Sequence, residues 1–322
     1  WYAIGAMVLG AKPISEKVSR TAFLLYILFL QLASAHHLLV EPGVSSSWKI
    51  FNTSYAMYLA VLGSMIHGLT VPGSIEAAQR AKGYNKGMFE WLRKAPWGNP
   101  AFSGMFMSLV MFGFLGGISG VVMGTEQINL IIHNTLYVPG HFHATVVAGT
   151  TLAFMAITYL LVPLIFRRHV MFPTVAKLQP YVFGLGIAGI SLFMMGAGTL
   201  GVPRRHWDIT FADALTTFQF SPAAFLMLAL NGLSAIMAAL GGAMYIVVVV
   251  ASVFFGRRIG DTEKVALGPA TGTQAAAAVA NYGSAGTLRI PGTVVLVGVF
   301  FVSFVLYYFV NWKYLAELWP LK

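Results

Sequence analysis

The sequence predicts an all-α integral membrane protein: a polytopic transmembrane helix bundle of about seven spans plus the end of an eighth. Three observations predict it. Only 9% of the 322 residues are charged and 57% are hydrophobic, whereas a soluble domain carries roughly 25% charged residues; mean hydropathy is +0.75. Apolar runs recur along the whole chain, each near the ~20 residues that a spanning helix needs. The basic residues also segregate to one set of loops.

Residues 1–10, "WYAIGAMVLG", read as the end of a helix that begins upstream. Trp1 opens the chain with no charged n-region or cleavage pattern, so no signal peptide is expected. The chain is expected to start partway through a larger polypeptide or assembly. Spans follow at about 20–40, 50–77, 100–123, 139–166, 178–201, 218–255 and 291–312, the sixth long enough to tilt or overrun the membrane. Together, residues 1–322 are expected to form a single transmembrane domain. Residues 259–288, rich in Ala, Gly and Thr, are expected to form an extramembrane cytoplasmic loop.

Charge tests this segmentation. Alternating the loops between the two sides puts only Lys49, Arg204, Arg205, Lys313 and Lys322 on one side and the other 15 of the 20 Lys and Arg opposite. That asymmetry follows the positive-inside rule, so the basic side is expected to be cytoplasmic. The net charge of +10 is then a topology signal: the expected partner is the lipid bilayer, not nucleic acid. With no cysteine, disulfides, thiolate metal sites and iron–sulfur clusters are excluded, and any metal must use His, carboxylate or Met.

Eight histidines are available. His141 and His143 stand in "LYVPGHFHATVV", at the start of a span. Two residues on an α-helix are about 200° apart, so their rings leave opposite sides. One small ion is not easily shared by such a pair, but two planar cofactors could flank the helix. Haem suits this arrangement, because neutral imidazole is its commonest axial ligand. The competing reading is two interfacial histidines bonded to loop backbone. Pro139 is a good first-turn residue, and Gly140 permits close approach.

His36 and His37, in "LASAHHLLVEPG", are adjacent at the outer end of the first full span. They diverge by about 100°, and both reach one ion if the helix end is irregular. Imidazoles without thiolate suit copper, zinc or iron. Two imidazoles do not complete a site, and the remaining sequence offers no obvious third ligand. Arg204 and Arg205, in "GVPRRHWD", run against the charge bias. Paired guanidiniums hold carboxylates such as haem propionates bidentately; a salt bridge to Asp208 or a contact with lipid phosphate is the alternative. His169, after Arg167 and Arg168, reads as an ordinary interfacial residue.

This constellation resembles the catalytic subunit of the haem–copper oxidase superfamily, subunit I of the terminal respiratory oxidases, and is most similar to its B-type branch. The matching stretches are "AHHLLVEPG" with Trp48 and Lys49 after it, "KAPWGNPAF", "IIHNTLYVPGHFH" and "GVPRRHWD", in the family's order. They cover the C-terminal half of such a subunit, from the end of helix six to helix thirteen. The resemblance implies that His141 binds a high-spin haem iron and His143 a low-spin haem iron, with haem types unspecified. It also implies that His36 and His37 bind the active-site copper, so that His36, His37 and His141 form the catalytic set. Arg204 and Arg205 would hold propionates, with His133 and Asn134 in the same polar layer. Expected partners are a polypeptide carrying the N-terminal half, subunit II, and a donor (cytochrome c, a blue-copper protein or quinol). The implied location is a prokaryotic plasma membrane, with the metal sites toward the outer side.

Two departures stand out. Asn129 occupies a position where many members of the family carry aspartate. Ser64, His67 and Thr70 recur every third residue in the 50–77 span, resembling a hydroxyl-lined proton channel with His67 in place of one hydroxyl. An ionisable residue inside a membrane is a functional candidate by default, and helix–helix hydrogen bonding is the structural alternative. All ten acidic residues are expected at helix ends or in loops. Two other functions compete: a nitric oxide reductase of the same superfamily, and a cofactor-free transporter or structural subunit. The first is expected to keep glutamates near a non-haem iron, and here only Glu41 lies near His37 in sequence.

Overall fold

The computed structural model describes residues 1–33, 37–205, 220–268 and 289–318. Among them are helices and loops only, apart from two isolated bridges, Thr135↔Pro203 and Arg168↔Arg258. Six helical segments are long and apolar enough to cross a membrane: Met57–Ala81, Pro100–Gly124, Tyr137–Ile165, Pro173–Thr199, Pro222–Phe255 and Pro291–Val310. The expected seventh, at 20–40, is helix α2 (Glu16–Leu32), only 17 residues long. It begins earlier than apolar residues alone suggest because Ser15 caps it, its hydroxyl accepting from Val18 N–H at 3.3 Å. It stops at Leu32, whose carbonyl accepts from the Asn52 side-chain amide, a fully buried group. His37 therefore lies beyond the helix, and His36 falls outside the described residues.

Helix α1 (Tyr2–Leu9) packs beside α4 (Met57–Ala81), which continues α3 (Ser46–Phe51) through a π-helical stretch, Asn52–Ala56. The short α5 (Glu90–Arg93) leads to α6 (Pro100–Met111), capped by the Asn99 side chain on Ala101 and Phe102 N–H. A second π stretch, Phe112–Gly117, joins α6 to α7 (Ile118–Gly124), and α8 (Glu126–Ile132) follows. Then α9 (Tyr137–Phe142), a third π stretch (His143–Thr151) and α10 (Leu152–Ile165) make one continuous span. Helices α11 (Pro173–Thr199), α12 (Pro222–Phe255) and α13 (Pro291–Leu318) complete the set. Pro173 and Pro222 each stand in a first turn, where a missing N–H costs nothing.

Successive spans run antiparallel, so the loops gather at two ends as the charge alternation requires. At one end 133–136 meets 202–205, and at the other 166–169 meets 256–259. Small residues hold α11 to α12: a Cβ on Gly186 would meet Ala238 N at 2.5 Å, and one on Gly241 would meet Phe183 N at 2.4 Å. In lipid there is little hydrophobic gain from helix pairing, so such close backbone approach supplies the contact energy instead.

Glu76 lies at a helix end, as expected, but is not a solvent-facing acid. Counted from the sequence among the helix-end acids, it is fully buried inside the last turns of α4. Its carboxylate accepts from Arg80 Nε at 2.7 Å and from Gly292 and Thr293 N–H at 3.1 and 2.6 Å. The two backbone donors are free first-turn groups of α13, where the helix dipole favours an anion. A buried charge is tolerated only when paired in this way. Its role is to anchor α13 to α4.

Candidate functional site

The site begins with the geometry of α9. Gly140 and Gly198 have no side chains to separate α9 from α11: a Cβ on Gly198 would stand 1.9 Å from Tyr137 N, and one on Gly140 would stand 2.7 Å from Met195 N. Backbone therefore touches backbone on both sides of Pro139, and the α9 position is set by α11. His141 then points into α7 and is 6% exposed. Gly120 gives its ring room, since a Cβ there would come within 3.0 Å of Cε1.

Hydrogen bonds set the Nδ1 proton of both rings. Ser119 Oγ donates its single proton to the Leu115 or Gly116 carbonyl. Toward His141 Nδ1, 2.9 Å away, it can then only accept. In that arrangement His141 Nδ1 is the donor to Ser119 Oγ. His143 Nδ1 lies 2.7 Å from the Pro139 carbonyl, which can only accept, so Nδ1 is the donor there too. A metal-ligating histidine is held in this way, with one ring N–H bonded to an oxygen and the other nitrogen presented to the metal. His141 is buried and His143 half-buried. The third π stretch starts at His143, and π-bulges in α-helices occur frequently at functional sites.

His37 is brought to this site. Its ring stacks on Phe142 at 5.2 Å and lies 6.4 Å from that of His141, tilted by 39°. With metal–nitrogen bonds of ~2.0–2.1 Å, that separation suits one ion between the two rings. A haem iron and a second metal in series need His37 further out. The donor chemistry of His141 and His143 fits haem iron, while a complete second metal site is not assembled. Among the described residues no three His, Asp or Glu gather at metal-binding spacing.

The polar layer read from the sequence forms a second cluster. The Thr135↔Pro203 bridge is flanked by Leu136 N–H donating to the Val202 carbonyl (2.9 Å) and Arg204 N–H to the Asn134 carbonyl (2.8 Å). Asn134 and Arg205 both adopt positive φ, 60° and 66°. Arg204 directs Nε and Nη2 at Asn134 Oδ1, at 3.1 and 2.7 Å. In this structure an amide oxygen thus occupies the guanidinium fork, and Asp208 lies outside the described residues. Nearby, His133 Nε2 is 3.7 Å from Glu41 Oε1. Burial, then Arg204, lower the His133 pKa, Glu41 opposes them, and Arg205 lowers it further.

The sign of the pH effect follows. A folded-state pKa below the ordinary 6.5 gives stability that is present above pH 6.5 and lost as pH falls through the lowered value. Acidification is therefore expected to loosen the clamp, and Arg204→Gln is expected to move the His133 midpoint upward. Histidine-labelled NMR of the two proteins checks this; an unmoved midpoint counts against the assignment.

The third cluster includes a residue that sequence reasoning missed. Tyr2 Oη hydrogen-bonds Thr70 Oγ1 and lies 3.1 Å from His67 Nδ1. Thr70 donates to the Ile66 carbonyl at 2.8 Å, so it accepts from Tyr2, and Tyr2 in turn can accept from His67. Ser64 does not join this group; its hydroxyl reaches the Ala60 carbonyl at 3.4 Å. A tyrosine tip within an apolar run was the available signal for Tyr2. Ser119, among the glycines of α7, was the corresponding signal for His141. Asn129 is buried and donates to the Met123 carbonyl at 2.7 Å.

Residues 1–240 match the family described as Cytochrome C and Quinol oxidase polypeptide I. Cytochrome c oxidase subunit 1 of Thermus thermophilus is 34% identical over 217 residues, 66% of this chain and 38% of that protein. The corresponding polypeptide 1 of Halobacterium salinarum is 33% identical over 92 residues, 29% of this chain and 15% of that one. A cryo-EM structure of a heme-copper terminal oxidase dimer superposes with a TM-score of 0.72 at 26% identity, covering 93% of this chain and 52% of the other. The chain thus spans about half, or less, of the length of these relatives.

Proposed function

The chain belongs to the cytochrome c and quinol oxidase polypeptide I family, and from that premise we propose that it is the C-terminal part of the catalytic subunit of a respiratory terminal oxidase. The reaction is reduction of dioxygen to water, coupled to proton uptake and translocation. The observation that carries this reading is the placement of His141 and His143 two residues apart on one continuous span, with Nδ1 of each held within hydrogen-bond distance of an oxygen, Ser119 Oγ or the Pro139 carbonyl. In the proposal His141 would hold a high-spin haem and His143 a low-spin one, and His36 and His37 would hold copper once the His37 ring moves out from its present 6.4 Å separation from His141. When bound, these groups supply the electron transfer and dioxygen chemistry.

The protein's own part is positioning and proton control. Ser119 and the Pro139 carbonyl keep both rings oriented. Arg204, Arg205, His133 and Asn134 form the polar layer that receives propionates, with Arg204 exchanging its Asn134 contact for a carboxylate. Proton uptake runs along α4 from its basic end through Thr70, Tyr2 and His67, with Ser64 about one turn beyond His67. Thr70 must release the Ile66 carbonyl to pass a proton onward. The basic loops, including 259–288, face the cytoplasm, and residues 1–322 form one transmembrane domain. The N-terminal half of the subunit, subunit II and an electron donor (cytochrome c, a blue-copper protein or quinol) complete the working complex.

The deciding experiment is metal analysis with a reduced-minus-oxidised spectrum, on the complex purified with its partner chains. About two haem irons and at least one copper are expected per complex. A third, non-haem iron with no copper moves the assignment to nitric oxide reduction. Absence of haem overturns the proposal.

A further inference from the structure

Four arginines meet at the end of the bundle opposite the Asn134–Arg204 clamp. The bridge Arg168↔Arg258 is flanked by His169 N–H donating to the Arg257 carbonyl (2.9 Å) and Ile259 N–H to the Arg167 carbonyl (2.8 Å). It sets two Arg–Arg pairs from distant parts of the chain side by side. The positive-inside bias requires basic loops here, but it does not require two Arg–Arg pairs to be joined across one backbone bridge.

Four like charges carried on two paired backbone segments repel one another without an anion, and the protein supplies little. Arg167 donates to the Gly260 and Glu263 carbonyls and Arg168 to the Gly256 carbonyl, while Arg257 lies 2.7 Å from His169 Nε2. None of these contacts is with a carboxylate. Among the described residues, the ion pairs are Arg20–Glu16, Arg80–Glu76 and His133–Glu41, and none involves the four arginines. Segments 166–178 and 256–268 together carry six Lys or Arg against Asp261 and Glu263, a balance of +4, and residues 269–288 contain no Asp or Glu. Directly toward the membrane, Ile165 and Phe166 end α10, and Phe254 and Phe255 end α12, all of them exposed. A cavity of about 320 Å³ adjoins the cluster, lined in part by His169, Pro173, Ile259, Glu263 and Lys264.

We propose that this cluster binds the phosphate of an anionic phospholipid. The guanidiniums take the headgroup phosphodiester, and the exposed side chains at the ends of α10 and α12 take the upper acyl chains. Guanidinium forks match phosphate oxygens bidentately, and each basic residue at an anionic membrane surface contributes about 1 kcal/mol. The assignment is independent of the oxidase reading, since it uses no residue of the haem or copper sites.

The test uses the whole complex in detergent, stripped of lipid and then titrated with phosphatidylglycerol or phosphatidylcholine, with bound lipid counted by native mass spectrometry. Phosphatidylglycerol is expected to bind at least tenfold more tightly. The double variant Arg257→Gln/Arg258→Gln removes two exposed side chains and keeps the backbone pairing. It is expected to lose that preference by about tenfold or more, with an unchanged unfolding midpoint in lipid-free detergent. Arg258→Lys is expected to retain most of the binding. Equal binding of the two lipids overturns the proposal. So does full retention of phosphatidylglycerol by the double variant, or its displacement by millimolar inorganic phosphate, which would mark a general anion site. Protection of the arginines by an acidic segment of a partner chain, seen by cross-linking, also overturns it.

Discussion

Replacing His141 with alanine is expected to reduce dioxygen turnover by roughly 10³-fold or more, the scale on which members of a catalytic set fail together. Under the proposed assignment it removes one haem absorbance and leaves the other. His143→Ala is expected to remove the complementary signal. The reasoning rests on geometry rather than on the histidines alone. Each imidazole has Nδ1 occupied, by Ser119 Oγ at 2.9 Å or by the Pro139 carbonyl at 2.7 Å, so each can give only Nε2 to a metal. Ser119→Ala provides the sharper comparison. It keeps both histidines and removes the acceptor that holds the His141 tautomer, for which an outer-shell loss of about 10–100-fold is expected. Its spectrum should keep both haems, with only the His141-bound signal shifted. If His141→Ala retains both absorbances at full intensity, the ligand assignment fails. If Ser119→Ala behaves like wild type, the tautomer argument fails while the ligand assignment stands.

Most of the bundle was legible because apolar run length and the positive-inside bias are strong, cumulative signals. The failures are local. Helix α2 ends at Leu32 because a side chain twenty residues away, Asn52, takes the Leu32 carbonyl, and no window on α2 contains that information. The π stretches at Asn52–Ala56, Phe112–Gly117 and His143–Thr151 were invisible for a similar reason. Each adds one residue to a turn, and in a helix that is apolar all round this leaves no periodic trace. At the site, the HxH pair and the paired arginines could be read from residue type and position, and Asn134 from the family resemblance. The contacts could not: Ser119 meets His141, and Tyr2 meets His67 and Thr70, across 22 and 65–68 residues. The burial of Glu76 was not legible because its partners are backbone N–H groups of a helix more than 200 residues later.

Gly198→Ala is expected to be destabilising, although helix propensity alone predicts the reverse. Inside a helix, Gly to Ala gains about 0.5–1 kcal/mol. At Gly198 the new Cβ would stand 1.9 Å from Tyr137 N and 2.7 Å from Leu136 C. Neither neighbour is a side chain that can rotate away, so α9 and α11 must separate by about 1 Å. Overpacking of this kind costs roughly 1–3 kcal/mol, which outweighs the propensity gain. The functional consequence is larger, because α9 carries His141 and leads into His143. A misplacement of about 1 Å at reacting groups costs on the order of 10²-fold in rate. Gly232→Ala on α12 is the matched control, since nothing lies within 4 Å of its added Cβ; neutrality or a small gain is expected there. Thermal unfolding and turnover of both variants, in the purified complex, separate the two effects. If Gly198→Ala matches Gly232→Ala in both, the close backbone approach of α9 and α11 does not position the histidines. If stability falls but the surviving folded fraction keeps full turnover, the contact holds the bundle together without setting the site.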